Sequence, residues 1–261
     1  MSERGGALVT GAAQRIGRTV AEALGQDGWH VVIHYNRSAT AANDAVDAIV
    51  ASGGRADAIA GDLADPVACA GLIDAAEGAT GGLTCLVNNA SLFVEDTAHD
   101  GRAEIFDRVM AVNLRAPVIL SRAFAAQVPD GGEGVIVNIL DQKLVNPNPD
   151  FLSYTLSKHG LAAFTQMAAT AYGPTVRVCG VAPGLTLPSG DQLPDQFDAI
   201  HGNTPLARGS QPQDIAEAVI YLAGARAVTG ETILVDGGQH LVPSARDVMF
   251  LDPATLKEPG V

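Results

Sequence analysis

Tyr154 and Lys158 stand four residues apart in the run SYTLSK, residues 153–158. On a helix that spacing puts both side chains on one face. A phenol is a poor acid near neutral pH unless its phenolate is stabilised, and a neighbouring ammonium does this by lowering its pKa. Such a pair delivers a proton while a cofactor delivers a hydride. Tyr-x-x-x-Lys alone is a common surface pattern. It gains meaning at the start of a long helix that follows the fifth strand of an α/β chain, which is where this one is expected.

A second cluster lies near the N-terminus, where TGAAQRIG (10–17) follows the short apolar run ALV. Gly11 allows a sharp exit from a strand, and Gly17 lets a helix approach the sheet and a pyrophosphate. The helix N-terminus then offers free N–H groups and a positive dipole end to phosphate. Folds selective for NAD place Asp or Glu roughly 20 residues past the glycines, on the ribose hydroxyls. Here that region reads His34-Tyr35-Asn36-Arg37-Ser38, with no carboxylate. Arg37 and Ser38 suit a 2′-phosphate, one by charge and the other by hydrogen bonding. Arg15 projects toward the same pocket, so the expected cofactor is NADPH.

Elements to position these groups are written in the alternation of the chain. Short β-branched runs fall at 7–9, 30–35, 56–60, 85–87, 134–139, 176–182 and 232–236. Helical stretches separate them, as in RIGRTVAEALGQDG, where Ile16, Val20, Ala23 and Leu24 share a face. Asp65-Pro66 reads as a cap followed by proline in the first helical turn. Trp29 is expected to pack where the first helix meets the second strand. Strands alternating with helices predict a single α/β domain, a Rossmann-type doubly wound parallel sheet with helices on both faces. That domain spans residues 1–240, and 241–261 reads as a C-terminal tail.

Composition bounds the function. A net charge of −13 repels nucleic acid and anionic lipid, so neither is an expected partner. Anionic ligands must then be met by local arginines. The N-terminal residues lack the apolar core of a signal peptide, and no apolar run reads as long enough to span a bilayer. The three cysteines, Cys69, Cys85 and Cys179, sit in apolar contexts and read as buried thiols of a cytoplasmic protein. The six histidines show no metal-ligand grouping, and no metal is expected.

Taken together, these residues resemble the short-chain dehydrogenase/reductase family over about the first 240 positions. Its marks stand here as GDL (Asp62-Leu63), VNNA (Asn88-Asn89-Ala90), VNLRAP (Asn113), VAPG (Pro183-Gly184) and VDGG (Asp236 to Gly238). The resemblance implies that Asp62 and Leu63 border the adenine, that Asn89 supports the central strand, and that Asn113 anchors a proton-relay water. It implies that Lys158 also holds the nicotinamide ribose and that Pro183, Gly184 and Thr186 border the carboxamide. The implied cofactor surface further includes Gly11, Arg15, Ile16, Gly17, Ala90, Ser91 and Tyr154, with the segment from His34 through Tyr35, Asn36 and Arg37 to Ser38. A homotetramer built through helices around 104–128 and 154–172 is implied as well. Those helices carry Phe106, Val109, Phe124, Leu161 and Phe164 on more than one face.

Two departures narrow the reading. Arg15 stands where the family's turn usually has its middle glycine, and Asp141 stands thirteen residues before Tyr154, where its catalytic serine usually lies. With HYNRS and NNASLF, they resemble the pteridine reductase branch, including dihydromonapterin reductases. In that branch a flat pterin lies between nicotinamide and a phenylalanine matching Phe93, with Ser91 and Arg15 helping to bind it. A carboxylate at position 141 would repel a carbonyl's developing oxyanion, whereas a carboxylic acid kept protonated by an apolar site donates toward a ring nitrogen. Asp141, Tyr154, Lys158 and Asn113 are therefore the expected catalytic residues, and the expected reaction is NADPH-dependent reduction of a pterin C=N bond. The alternatives are a carbonyl or enoyl reductase of the same family, and a non-catalytic NADPH-binding sensor or scaffold, against which intact Asn113, Tyr154 and Lys158 count. The segment 185–210 is expected to be the loop that covers substrate, and RDVMFLD in the tail to pack across a subunit boundary.

Overall fold

The β-branched runs become seven strands in the computed structural model, which describes residues 4–189 and 194–251. They are β1 (Gly6–Val9), β2 (His30–Tyr35), β3 (Arg55–Ala60), β4 (Leu83–Asn88), β5 (Gly134–Ile139), β6 (Val176–Pro183) and β7 (Thr232–Val235). All pair in parallel in one sheet of order β3-β2-β1-β4-β5-β6-β7. Each run picked out in the sequence falls on one of these strands.

Successive strand side chains point to opposite faces, and here both faces are apolar. Ala7, Val9, Val31, Ile33, Cys85 and Val87 enter one core, while Leu8, Val32 and Leu86 enter the other. The first core is covered by α1 (Arg15–Gln26), α2 (Ala39–Ala51) and a late helix Pro212–Gly224. The second lies under α3 (Pro66–Thr80) and the helices that follow β4 and β5. Val20 and Leu24 of α1 are fully buried, with Ile16 and Ala23 packed beside them. Asp65 caps α3 by accepting the Val67 N–H at 2.8 Å, and Pro66 occupies the first turn. Trp29 is buried in the first core, and all three cysteines are free and buried.

Two expectations need correction. The helix after β4 runs without interruption through α4 (Ala103–Met110), a π-helical turn (Ala111–Arg115) and α5 (Ala116–Gln127). At 25 residues this run is long and apolar enough, by length and composition, to cross a membrane. Its apolar character has a local cause, since Ala116, Leu120 and Phe124 are fully buried in the second core. The segment expected as a covering loop also contains structure of its own, since Pro194–His201 forms α7, ahead of the late helix, α8. Phe197 and Ile200 of α7 are buried, which ordered polar loops seldom require.

The chain leaves β1 toward β2 and β3, then returns to place β4 on β1's other side. The crevice at the carboxyl ends of β1 and β4 is the switch point where such sheets bind ligands.

Candidate active site

At that crevice a cavity of about 470 Å³ runs from the glycine turn to the start of the helix after β5, α6 (Leu152–Tyr172). Its geometry depends on residues too small or too constrained to be exchanged freely. Gly11 has φ +62°, and a Cβ on it would lie 2.9 Å from the Ala90 Cα. A Cβ on Gly17 would collide with the Asn89 amide and the Gly11 carbonyl. Asn89 Nδ2 donates to the Thr10 carbonyl at 2.8 Å and to that of Gly11 at 3.2 Å, bracing the turn against the end of β4. Arg15 keeps a left-handed backbone (φ +56°), the conformation glycine adopts readily, and its guanidinium donates to the Pro188 carbonyl at 2.9 Å. It thereby ties the phosphate turn to the segment that follows β6.

His34, buried on β2, fixes the other side of the turn. Its Nδ1 accepts the Gly11 N–H at 3.1 Å and its Nε2 donates to the Gly61 carbonyl at 3.1 Å, which sets the neutral tautomer. Burial lowers its pKa, against the opposing pull of the Gly61 bond and the Asp62 charge. Asn36, Asp62, Leu63, Ala90, Ser91, Ile16, Pro183, Gly184 and Thr186 line the cavity with the turn residues. Tyr35, Arg37 and Ser38 do not. Tyr35 packs partly buried against the first core, while Arg37 and Ser38 are exposed beyond the end of β2, where Ser38 precedes α2.

The helix α6 places Tyr154 and Lys158, both buried, on the face toward β5. Asp141, just past β5, meets them: the Tyr154 hydroxyl donates to Asp141 Oδ2 at 2.7 Å, and the Lys143 N–H donates to Asp141 Oδ1 at 2.8 Å. Burial pushes the Asp141 carboxyl above the ordinary carboxylate range, and the Lys143 N–H, Tyr154 and the Lys143 and Lys158 charges only partly offset it. The Tyr154–Lys158 spacing alone predicts that the lysine lowers the phenol's pKa; the structure reverses this. Burial and the Asp141 charge raise the Tyr154 pKa well above 10. Lys158 Nζ donates instead to the Ile139 carbonyl at 2.7 Å, and burial brings its own pKa down to about 8. The phenol and carboxyl thus form one proton-holding pair, with the lysine behind it.

Asn113 sits in the π-helical turn and does not line the cavity. Its Oδ1 accepts the Leu92 N–H at 2.8 Å, and its Nδ2 donates to the Leu92 carbonyl at 2.9 Å and to Ser157 Oγ at 3.1 Å. Those bonds hold Ser91 and Phe93 on either side of Leu92. Phe93 lines the cavity, 38 % exposed, stacked on Phe151 at 3.9 Å and T-shaped to Tyr154 at 4.7 Å between ring centroids.

Asp96 has no counterpart among the residues read from the sequence, and the tail segment RDVMFLD reads there only as a subunit contact. Asp96 is buried where α6 begins and accepts from the Ser153 N–H at 3.1 Å and from its hydroxyl. Asp247, Val248 and Met249 bring the tail onto this same chain's cavity; residues 252–261 lie outside the described residues. Asp96–Ser153 and the tail contacts join residues far apart in sequence, so no local spacing announces them.

The residues fit a dinucleotide: a phosphate turn that side chains would fill, two exposed groups at its solvent end and a buried proton pair at the other. Comparison with known proteins agrees. A family model described as enoyl-(acyl carrier protein) reductase matches residues 11–240. FolM alternative dihydrofolate reductase 1 from Brucella suis, solved in complex with NADP, is 40% identical, with a TM-score of 0.89 over 95% of this chain and 99% of that one. Pteridine reductase 1 from Leishmania tarentolae is 32% identical over 90% of this chain and 96% of its own length. The 3-oxoacyl-[acyl-carrier-protein] reductase FabG of Staphylococcus aureus is 31% identical over 90% and 98%. With a parallel seven-stranded sheet, this turn and this tyrosine–lysine pair, the chain belongs to the short-chain dehydrogenase/reductase family and is an oxidoreductase built for a nicotinamide cofactor.

Proposed function

We propose that the protein reduces a pterin ring C=N bond, dihydropterin to tetrahydropterin, with NADPH. The observation that carries the reading is the 2.7 Å bond between Tyr154 and Asp141 beside the exposed ring of Phe93. Bound NADPH supplies the hydride. The chain's own residues do the rest. Phe93 offers a flat apolar surface to a heteroaromatic plate, whose polar rim meets Ser91 and Arg15. Asp141, whose carboxyl burial shifts toward its protonated form, and the Tyr154 phenol that bonds it supply the one proton that a ring nitrogen needs. Lys158, fixed on the Ile139 carbonyl, presents its ammonium toward the ribose and recharges the pair. Arg37 and Ser38, at the N-terminal end of α2, receive the 2′-phosphate that separates NADPH from NADH.

The similarity to FabG favours a second reading, reduction of a carbonyl in an acyl thioester. A serine-like donor suits that chemistry better than a buried carboxyl. The protein is further proposed to act in the cytoplasm, where its three free thiols stay reduced, as a homotetramer. Exposed Phe106 on α4 and Leu156 and Met167 on α6 support an assembly face; Val109, Phe124 and Leu161 are buried within the chain and do not contribute to it.

Steady-state oxidation of NADPH and NADH with dihydrobiopterin and with simple ketones tests the function. The expected result is turnover of dihydrobiopterin with a strong preference for NADPH. Ketone reduction without pterin reduction selects the second reading, and equal use of NADH and NADPH refutes the cofactor assignment.

A further inference from the structure

Lys143 gives its backbone N–H to Asp141, but its buried ammonium has other partners. Its side chain is 3% exposed, and a charge so placed is costly unless it is paired. Nζ donates to the Asp150 carbonyl at 3.0 Å and meets Asp247 Oδ2, from the C-terminal segment, at 2.7 Å. A second tie lies beside the first. Arg246 Nε and the Asp247 N–H both donate to Asp150 Oδ2, at 2.8 and 2.7 Å.

These ties decide where the residues after them go. Asp247 Oδ1 accepts the Met249 N–H at 3.0 Å and starts the 3₁₀ turn Val248–Phe250. Val248 and Met249 line the cavity, Met249 packs against the cluster of Val109, Phe151 and Tyr154, and the Phe250 ring stacks on Phe151 at 5.8 Å. Phe151 in turn backs Phe93. The tail therefore closes the substrate end of the cavity from within the same chain.

We propose that residues 246–250 form a latched wall that determines specificity, with Met249 supplying its surface and the Lys143–Asp247 pair holding it in place. A compact plate lying against Phe93 fits inside the wall, whereas a substrate that continues as an extended chain past Tyr154 runs into Met249. The preferred substrate named here rests on the pterin reading, while the wall itself does not.

Two variants test it. Met249→Ala removes the surface and leaves the latch; Asp247→Asn keeps the size and breaks the ion pair. NADPH affinity, followed by cofactor fluorescence, should stay at the wild-type value in both, because the tail is remote from the 2′-phosphate end. Met249→Ala should raise KM for dihydrobiopterin about tenfold, the scale on which a hydrophobic pocket senses lost carbons, and Asp247→Asn should raise it in the same direction by freeing the wall. Both should also narrow the preference in kcat/KM for dihydrobiopterin over S-acetoacetyl-N-acetylcysteamine. Chymotrypsin should cut the tail of Asp247→Asn faster than that of the wild type. Wild-type KM and preference in both variants overturn the wall, and equal chymotryptic resistance overturns the latch. If the wild type reduces only the thioester, the pterin reading falls and the wall is judged on that substrate alone: Met249→Ala must then raise its kcat/KM, and no change rejects the proposal.

Discussion

On the proposed mechanism Asp141 acts in opposite directions on stability and on chemistry, and its substitution separates the two. Its folded pKa is raised, so the native state holds that proton more tightly than the unfolded chain. Its contribution to stability is fully present below the unfolded value and is lost as pH rises through the folded one. Asp141→Asn should therefore melt at a higher temperature than wild type at pH 8, with the gap closing at acid pH. The same change removes an acidic proton, and turnover should fall by ~10²–10⁴, the usual contribution of general acid catalysis, with NADPH binding retained. The descending alkaline limb of the rate profile should flatten. Wild-type turnover in this variant would make the carboxyl a bystander. Arg15 shows a related conflict. A left-handed backbone costs a side-chain-bearing residue about 1–2 kcal/mol, a cost that Arg15→Gly removes. That variant should gain about 1 kcal/mol in thermal or urea unfolding, since its lost bond to Pro188 is exposed, while its KM for NADPH rises. The arginine's charge was legible in the sequence; its strain was not, because φ is set by the turn and not by the residue type.

Position along an element explains which parts of the site the sequence disclosed. Tyr154 and Lys158 were readable because one helix carries both and its period fixes their relation. The direction of their interaction was not readable, because it depends on how deeply α6 is buried and on Asp141 from another element. The start of α6 depends on Asp96, whose buried carboxylate binds the Ser153 N–H and hydroxyl one residue before Tyr154. Asp96→Ala should destabilise the protein by about 1–2 kcal/mol, as loss of a helix-start acceptor does, and lower kcat by freeing the first turn. Unfolding in urea measures the first effect and steady-state kinetics the second. A loss of stability with unchanged kcat would make Asp96 a cap and nothing more.

At the scale of the molecule, the alternation of short strands and helices was enough to give the doubly wound sheet, because both of its faces must be apolar. The tail resisted the same method. Its ties to Asp150 span 97 residues, and only the closed fold brings those partners together. Assembly remains to be measured: light scattering at micromolar concentration should give four times the 26.7 kDa chain, and a monomer rejects the tetramer. The bridge made by His34 has a consequence for how the protein tolerates acid. One uncharged imidazole joins the exit of β1, the end of β2 and the residue after β3, and a second ring proton would leave two N–H groups facing each other at Gly11. Because the folded pKa is lowered, the unfolded chain gains the extra proton first, and stability drains away as pH falls below about 6.5, the ordinary value for histidine. Melting temperature should decline through mildly acidic buffers in the wild type and decline less in His34→Asn, so that souring the medium weakens the protein through the one ring that braces its nucleotide turn.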